Sequence, residues 1–221
     1  PQGYRILGVS DGDFLGSMVS SAGDFNGDGR PDIIVSAISA GLGYNGRPQA
    51  GIVYVLFTPS PVFAPQDIDL AMLHANASTS VGFLVVGASA NNRIGSSLAG
   101  VGDVNGDGYD DVVIGAPLRG LAGRVLSGLA YVLFGHSNSA ATVSNIDLLT
   151  FQSGTKGYRI IGANNQDRMS YSIASAGDFN GDGIPDMALG AYTASINNLT
   201  SRGITYVLYG QPVGYTYTDL D

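Results

Sequence analysis

The chain has no cysteine, no tryptophan and no glutamate, and its 221 residues include only ten lysines and arginines. Without cysteine it can form no disulfide bond and can use no thiolate as a nucleophile or metal ligand. The scarcity of basic residues leaves a net charge of −8, which argues against nucleic acid as a partner. No apolar run approaches the roughly 18 residues of a membrane-spanning helix, so membrane insertion is not expected.

Glycine is abundant, with 33 residues, alongside 44% hydrophobic and 13% charged residues. This composition is too apolar for a disordered chain and too rich in turn-forming residues for a helical one. All 18 acidic residues are aspartate, whose short side chain suits turns and compact metal loops. We therefore expect an all-β protein whose acidic residues serve its loops rather than solubility alone.

One acidic loop occurs three times, at residues 24–32, 103–111 and 178–186, and reads Asp-x-Asn-Gly-Asp-Gly-x-x-Asp in every copy. Side-chain oxygens at loop positions 1, 3, 5 and 9 are hard donors at alternate positions, and the glycines let the backbone curl around them. This layout predicts three structural Ca²⁺ sites, each completed by the main-chain carbonyl of position 7. The predicted ligands are Asp24, Asn26, Asp28, Arg30 and Asp32; Asp103, Asn105, Asp107, Tyr109 and Asp111; and Asp178, Asn180, Asp182, Ile184 and Asp186.

Two other interpretations of the loop are less consistent with the sequence. An EF-hand needs a bidentate glutamate at position 12, where this chain has Val35, Ile114 and Leu189. A plain hairpin turn explains the glycines but not the aspartates at positions 1 and 9 of all three copies. Sites of this kind bind weakly and fill where calcium is millimolar, so we expect an extracellular protein, secreted or at the cell surface.

A longer unit surrounds each loop, so the chain divides into repeats at about residues 3–70, 71–148 and 149–221 of a single domain, 1–221. β-Branched and aromatic residues between glycine-rich turns predict four short strands in each unit. These are an aromatic opening strand (3–6, 82–85, 157–160), a small-residue strand before the loop (16–19, 95–98, 170–173), an apolar strand after it (32–35, 111–114, 186–189) and a closing strand (54–57, 131–134, 206–209). Tandem four-stranded units predict β-propeller blades, three in this chain.

The unit resembles the FG-GAP repeat of integrin α-subunit propellers and their relatives. The second unit carries the pattern most fully, in Ile94-Gly95-Ser96, Gly102-Asp103, Gly115-Ala116-Pro117 and Tyr131-Val132-Leu133-Phe134-Gly135. The first unit has Ser36-Ala37-Ile38 and the third Gly190-Ala191-Tyr192 in place of Gly-Ala-Pro, and the third has Met169-Ser170 in place of Phe-Gly. These departures fall on packing turns and leave the calcium loops intact.

Three blades do not close a ring, since propellers generally need about four or more. In the family that the unit resembles, the aromatic strand that opens a repeat is the outer strand of the preceding blade. Residues 3–7 would then be an outer strand with no blade of their own, and the third blade would lack its outer strand. Two explanations stay open: residues 4–7 complete the third blade of a neighbouring copy, giving a ring or filament, or the chain is part of a longer propeller.

The resemblance implies a non-catalytic, calcium-binding extracellular protein for adhesion or structural assembly, with a protein partner and self-association. One alternative is a ligand- or glycan-binding module of a larger propeller, with Arg47, Arg119, Arg124 and Arg202 in the long inserts. Another is a calcium-dependent polysaccharide-active enzyme. No catalytic residues are assigned, because His74 and His136 occupy unrelated repeat positions. The sequons at Asn76 and Asn198 leave glycosylation open.

Overall fold

The computed structural model describes residues 3–41, 46–58, 67–75, 80–137 and 144–221. These residues form fourteen strands and one short helix, which confirms the all-β prediction. In chain order the elements are β1 (Ile6–Leu7), β2 (Leu15–Gly23), β3 (Asp32–Ala37), β4 (Ile52–Leu56), β5 (Ile68–Asp69), α1 (Ala71–Ala75), β6 (Gly82–Val86), β7 (Ser97–Gly102), β8 (Asp111–Ala116), β9 (Leu129–Leu133), β10 (Ile146–Asp147), β11 (Gly157–Ile161), β12 (Ser172–Gly177), β13 (Asp186–Ala191) and β14 (Ile204–Leu208).

The antiparallel strands form three blades in the order of the three repeats. The first blade has the strand order β2-β3-β4-β6, and the second has the order β7-β8-β9-β11. The third has only β12, β13 and β14 among the described residues. The aromatic strand that opens each later repeat therefore completes the preceding blade, as the sequence predicted.

A short parallel strand adds to the outer edge of each completed blade. Ile146 of β10 lies opposite Val85 of β6, and Leu220 bridges Ile160 of β11 in the same way. The opening strand β1 makes the equivalent pair with β5, where Ile6 lies opposite Ile68. The β1–β5 pair thus repeats the outer pairing of the two completed blades, and among the described residues no inner strand pairs with β1.

The blades pack face to face through apolar side chains that alternate along the strands. Between the first and second blades lie Val55, Phe83 and Tyr131, all at most 1% exposed. A second cluster, with Val132 and Leu189, joins the second blade to the third. A third cluster covers the other face of the first blade with residues of β1, β5 and α1: Ile6, Ile68, Leu70 and Leu73 pack against Tyr54, Leu56, Leu84 and Val86.

Candidate metal centres

Each acidic loop joins the first strand of its blade to the second, so its setting is strand–loop–strand and not the helix–loop–helix of an EF-hand. The loop glycines adopt the left-handed backbone conformation that other residues adopt only with strain. In the first loop Gly27 has a φ of 72° and Gly29 a φ of 85°. The same positions in the other loops have φ between 72° and 93°, so the three loops share one backbone shape.

The aspartate at position 1 organises each loop. Its two carboxylate oxygens accept the backbone N–H groups of positions 5 and 6, at 2.9 and 2.8 Å from Asp24 in the first loop. The equivalent bonds to Asp103 are 3.0 and 2.8 Å, and both bonds to Asp178 are 2.9 Å. The asparagine at position 3 also accepts the position 5 N–H, at 2.9 Å in every loop. These bonds give the three loops the same internal hydrogen-bond pattern.

The aspartate at position 9 has a second role that the sequence did not reveal. Its side chain is buried in all three loops, and Asp111 is 0% exposed. One oxygen of Asp111 accepts the N–H of Val104 within the loop at 2.9 Å, and the other accepts the N–H of Gly135 beyond β9 at 2.8 Å. Asp32 and Asp186 each bridge their own loop to the end of their third strand in the same way. The residue therefore ties the metal loop to the blade.

Burial and neighbouring carboxylates raise the pKa of two position 9 aspartates, Asp111 and Asp32. Burial raises the pKa of Asp111 to about 8, and the charges of Asp107 and Asp103 push it in the same direction. Burial raises the pKa of Asp32 to about 6, with further contributions from Asp28 and Asp24. The carboxylates of a loop are thus close enough to repel one another, and a bound cation would remove that repulsion.

Within the described parts of the chain, no cationic side chain forms an ion pair with any of the nine loop aspartates. The four ion pairs among the described residues are Arg5–Asp67, Arg47–Asp147, Arg124–Asp221 and Arg159–Asp219, and none involves a loop aspartate. In the same parts of the chain, no three acidic or histidine side chains converge closely enough to form a ready-made metal site. Each carboxylate has about four lone-pair positions, so the backbone bonds leave acceptor capacity. The hard-oxygen donor set fits Ca²⁺, and the ligand assignment stays a prediction.

Neighbouring blades hold the first two loops in place through backbone bonds. The N–H of His136, just after β9, donates to the carbonyl of Phe25 in the first loop at 2.9 Å. The N–H of Gln211, just after β14, donates in the same way to Val104 of the second loop at 2.8 Å. Each of these loops is therefore secured by the blade that follows it.

Both histidines and three of the four insert arginines have polar partners within the chain. The Tyr54 hydroxyl lies 2.8 Å from Nε2 of His74, while His136 lies 3.3 Å from the Ser137 carbonyl. Arg47 and Arg124 form ion pairs within the chain, and Arg119 donates to Ser89 at 3.2 Å. The structure therefore does not bring the two histidines into one acid–base pair.

One of the two glycosylation sequons lies within the described residues. Asn198 lies in a turn with a φ of 63°, whereas Asn76 falls outside the described residues, as do residues 42–45 of the first insert. In the described parts of the chain, no helical segment has the length and apolar character needed to traverse a bilayer.

Curated relatives match most of this chain but cover little of their own length. Integrin alpha-E of Mus musculus is 31% identical over 194 residues, and integrin alpha pat-2 of Caenorhabditis briggsae is 30% identical over 197 residues. These matches take in 87% and 84% of this chain. Phosphatidylinositol-glycan-specific phospholipase D of Bos taurus is 33% identical over 123 residues, or 55% of this chain. The chain spans only 14% of the length of each relative.

The family model for the FG-GAP repeat matches three segments, at residues 18–56, 94–133 and 170–208. Each segment runs from the first strand of a blade to its third and contains one acidic loop. FG-GAP repeats are β-propeller blades, and the three matched segments agree with the three blades of the structure. The chain belongs to the FG-GAP repeat family.

Proposed function

We propose that this chain is a calcium-stabilised, non-catalytic propeller segment that serves adhesion or structural assembly outside the cell. The observation that carries the proposal is the concentration of nine aspartates in three alike loops, with no cationic side chain paired to any of them among the described residues. The ligands are those predicted above, and the chain's own residues orient them through the bonds of positions 1 and 9. The ions would supply positive charge and cross-links within each loop.

Mass action gives the scale of the calcium effect. If each site binds at about 10 µM and calcium is about 1 mM, each ion stabilises the folded state by about 2.7 kcal/mol. Three ions then contribute about 8 kcal/mol, which is comparable to the whole stability of a typical domain. Weak sites of this kind fill where calcium is millimolar, which is an extracellular condition, so the proposed location is outside the cell. The similarity to integrin α-subunits supports an adhesive role with a protein partner.

The assembly part of the proposal rests on two complementary edges. The third blade ends at β14, which has no outer partner strand among the described residues, and β1 is an outer strand without inner strands. Exposed sheet edges readily pair with other chains. We propose that β1 of one copy adds to β14 of the next, which gives a closed ring or an open filament.

Light-scattering mass after size exclusion tests this assembly directly. In about 1 mM calcium the expected species is a dimer, larger ring or polymer, and chelation with EGTA should dissociate it. Counting bound calcium by equilibrium dialysis, with three ions expected per chain, tests the metal sites separately. A folded monomer in calcium that binds three ions would contradict the assembly and leave the calcium sites intact.

A ligand-binding module of a larger propeller is the second candidate function, favoured by a hollow beside the second loop. The hollow has a volume of about 360 Å³ and is lined by Asn105, Asp107, Phe134, Tyr215 and Tyr217, among others. Aromatic faces next to polar groups suit a glycan. Specific glycan-array binding by a monomeric variant, lost on Tyr215→Ala, would favour this function over assembly.

A further inference from the structure

An arginine–aspartate clamp recurs at the outer edge of the two completed blades. The Arg47 guanidinium donates to both carboxylate oxygens of Asp147 at 2.8 and 2.7 Å, across 100 residues of sequence. Arg124 forms the equivalent ion pair with Asp221. Each arginine lies in the insert between the second and third strands of its blade, and each aspartate lies on the parallel segment that extends the same blade's outer strand.

Asp69 occupies the same structural position as the two clamped aspartates. It follows Ile68, which pairs with β1 as Ile146 pairs with β6 and as Leu220 pairs with β11. Asp69 and Asp147 also share a local bond, since each accepts at 2.9 Å the N–H of the residue two positions later. However, Asp69 is exposed and forms no ion pair among the described residues. By analogy with Asp147 and Asp221, the partner of Asp69 would be an arginine in the insert of the blade that β1 completes.

The third blade offers an arginine in the corresponding insert. Arg202 lies between β13 and β14, is exposed, and forms no ion pair within the described ranges. It stands two residues before β14, whereas Arg47 stands five residues before β4. The long, flexible arginine side chain can accommodate this offset, and a planar guanidinium suits a bidentate carboxylate partner.

The outward face of the third blade is uncovered at positions that the other blades bury. The comparison concerns three repeat positions on that face. Val207 is 39% exposed, whereas the equivalent Val55 and Val132 are 0% exposed. Tyr209 is 50% exposed, whereas Phe57 is 3% and Phe134 is 6% exposed. Phe179 is 67% exposed, whereas Phe25 and Val104 are each 1% exposed. In the first two blades, the next blade in sequence supplies the cover. The third face therefore fits another propeller blade.

We infer that Arg202 of one copy of this chain binds Asp69 of a second copy. In this junction the second copy's β1 and β5 complete the third blade of the first copy, and its first blade covers Val207 and Tyr209. The clamp supplies the polar specificity of the contact, and the uncovered aromatic and aliphatic side chains supply apolar area. The inference rests on the proposed self-association and assigns the charged residues that direct it.

Charge reversal tests the clamp in the full chain. In calcium, Asp69→Arg and Arg202→Asp should each raise the dissociation constant for self-association by about tenfold or more, because each places like charges opposite one another. The double variant should return the constant to within about threefold of the wild type. Sedimentation equilibrium provides the measurement. Lys156→Asp, an exposed charge reversal on the second blade, is the matched control and should leave the constant unchanged.

Asp69 also accepts the Ala71 N–H at the start of α1, so its replacement by arginine could destabilise the fold as well as remove the ion pair. A milder variant distinguishes these two effects. Asp69→Asn keeps an acceptor there and removes the charge, so it should weaken association at an unchanged melting temperature. Two results would contradict the Arg202–Asp69 clamp while leaving self-association in place. In one, the wild type associates and the single variants associate as tightly; in the other, the double variant does not recover the wild-type dissociation constant. A wild type that stays monomeric at all concentrations in calcium overturns both.

Discussion

The backbone N–H of Asp24 donates to a carboxylate oxygen of Asp110 at 2.8 Å, although 86 residues separate them. The Asp110 N–H returns a bond of 3.2 Å to the Asp24 carbonyl. Asp24 opens the first acidic loop, and Asp110 is position 8 of the second. The corresponding position is Pro31 in the first loop and Pro185 in the third, and proline has no side-chain carboxylate that could accept this bond. The first two loops are therefore coupled through a contact that the second and third loops cannot copy.

Replacing Asp110 with alanine should weaken the first loop, since it removes the acceptor for the Asp24 N–H. A hydrogen bond to a charged group contributes about 1.5–3 kcal/mol, so we expect a loss of unfolding free energy of about that size. Urea unfolding in calcium measures it. Asp110→Asn retains an oxygen acceptor and should lose less, and equal losses in the two variants would argue against the bond.

Removing a position 1 aspartate should cost one calcium ion. Asp103→Ala removes a predicted ligand and the acceptor for two backbone N–H groups of its loop, so that loop should neither order nor bind. Equilibrium dialysis with metal analysis should give two ions per chain in place of three. Asp11→Ala, outside the loops, is the control that should keep three. Three ions in Asp103→Ala would contradict the ligand assignment.

The calcium-free protein should become less stable as the pH rises from about 4 to about 8. The pKa of Asp111 rises from its ordinary 3.8 to about 8 in the folded state, and that of Asp32 to about 6. Within this window these two aspartates bind more protons in the folded state than in the unfolded state, so the stability that they contribute below the unfolded pKa is lost as the pH passes each folded pKa. Burial lowers the pKa of His74, which has the opposite effect on stability, but the two larger aspartate shifts decide the direction. The ion pairs with Arg5 and Arg159 lower the pKa of Asp67 and Asp219, whose changes therefore fall below the window.

Urea unfolding at a series of pH values, after calcium removal, checks this dependence. Saturating calcium should flatten or reverse the slope, because calcium binds the ionised carboxylates and competes with protons. A calcium-free protein whose stability increases between pH 5 and pH 8 would contradict the arrangement of buried, mutually repelling carboxylates.

Two equivalent tyrosines should respond differently to loss of the hydroxyl. Tyr54 and Tyr131 are both at most 1% exposed, and the Tyr54 hydroxyl lies 2.8 Å from Nε2 of His74. The Tyr131 hydroxyl is buried with no hydrogen bond in the described part of the chain. Tyr54→Phe should cost about 0.5–1.5 kcal/mol, and Tyr131→Phe should be neutral or stabilising. Thermal unfolding of the two variants side by side tests this, and an equal cost in both would refute it.

The sequence predicted the blade pattern because the pattern occurs three times. Alternating apolar strands, glycine turns and acidic loops recur in register, so each repeat supports the assignment of the others. The pairing of β1 with β5 agrees with residues 3–7 as an outer strand, and their place in another blade stays a prediction.

The features that the sequence did not predict depend on long-range contacts. The strands β5 and β10 are two residues long and carry no periodic signal of their own. The Asp110–Asp24 bond and the Arg47–Asp147 ion pair join residues 86 and 100 positions apart. The loop pattern predicted the position 9 aspartates as ligands but gave no sign of their bonds to residues beyond the third strand, since those bonds depend on how the strand ends pack.

The melting temperature with and without calcium tests the central claim most directly. For a chain of this size, 1 kcal/mol shifts the melting temperature by about 2–4 °C, so about 8 kcal/mol from three ions corresponds to a shift of about 15–30 °C. Calorimetry in about 1 mM calcium and then in EGTA should show a fall of that order, reversed when calcium is restored. A melting temperature that is the same in calcium and in EGTA would contradict calcium as the stabilising element of these blades.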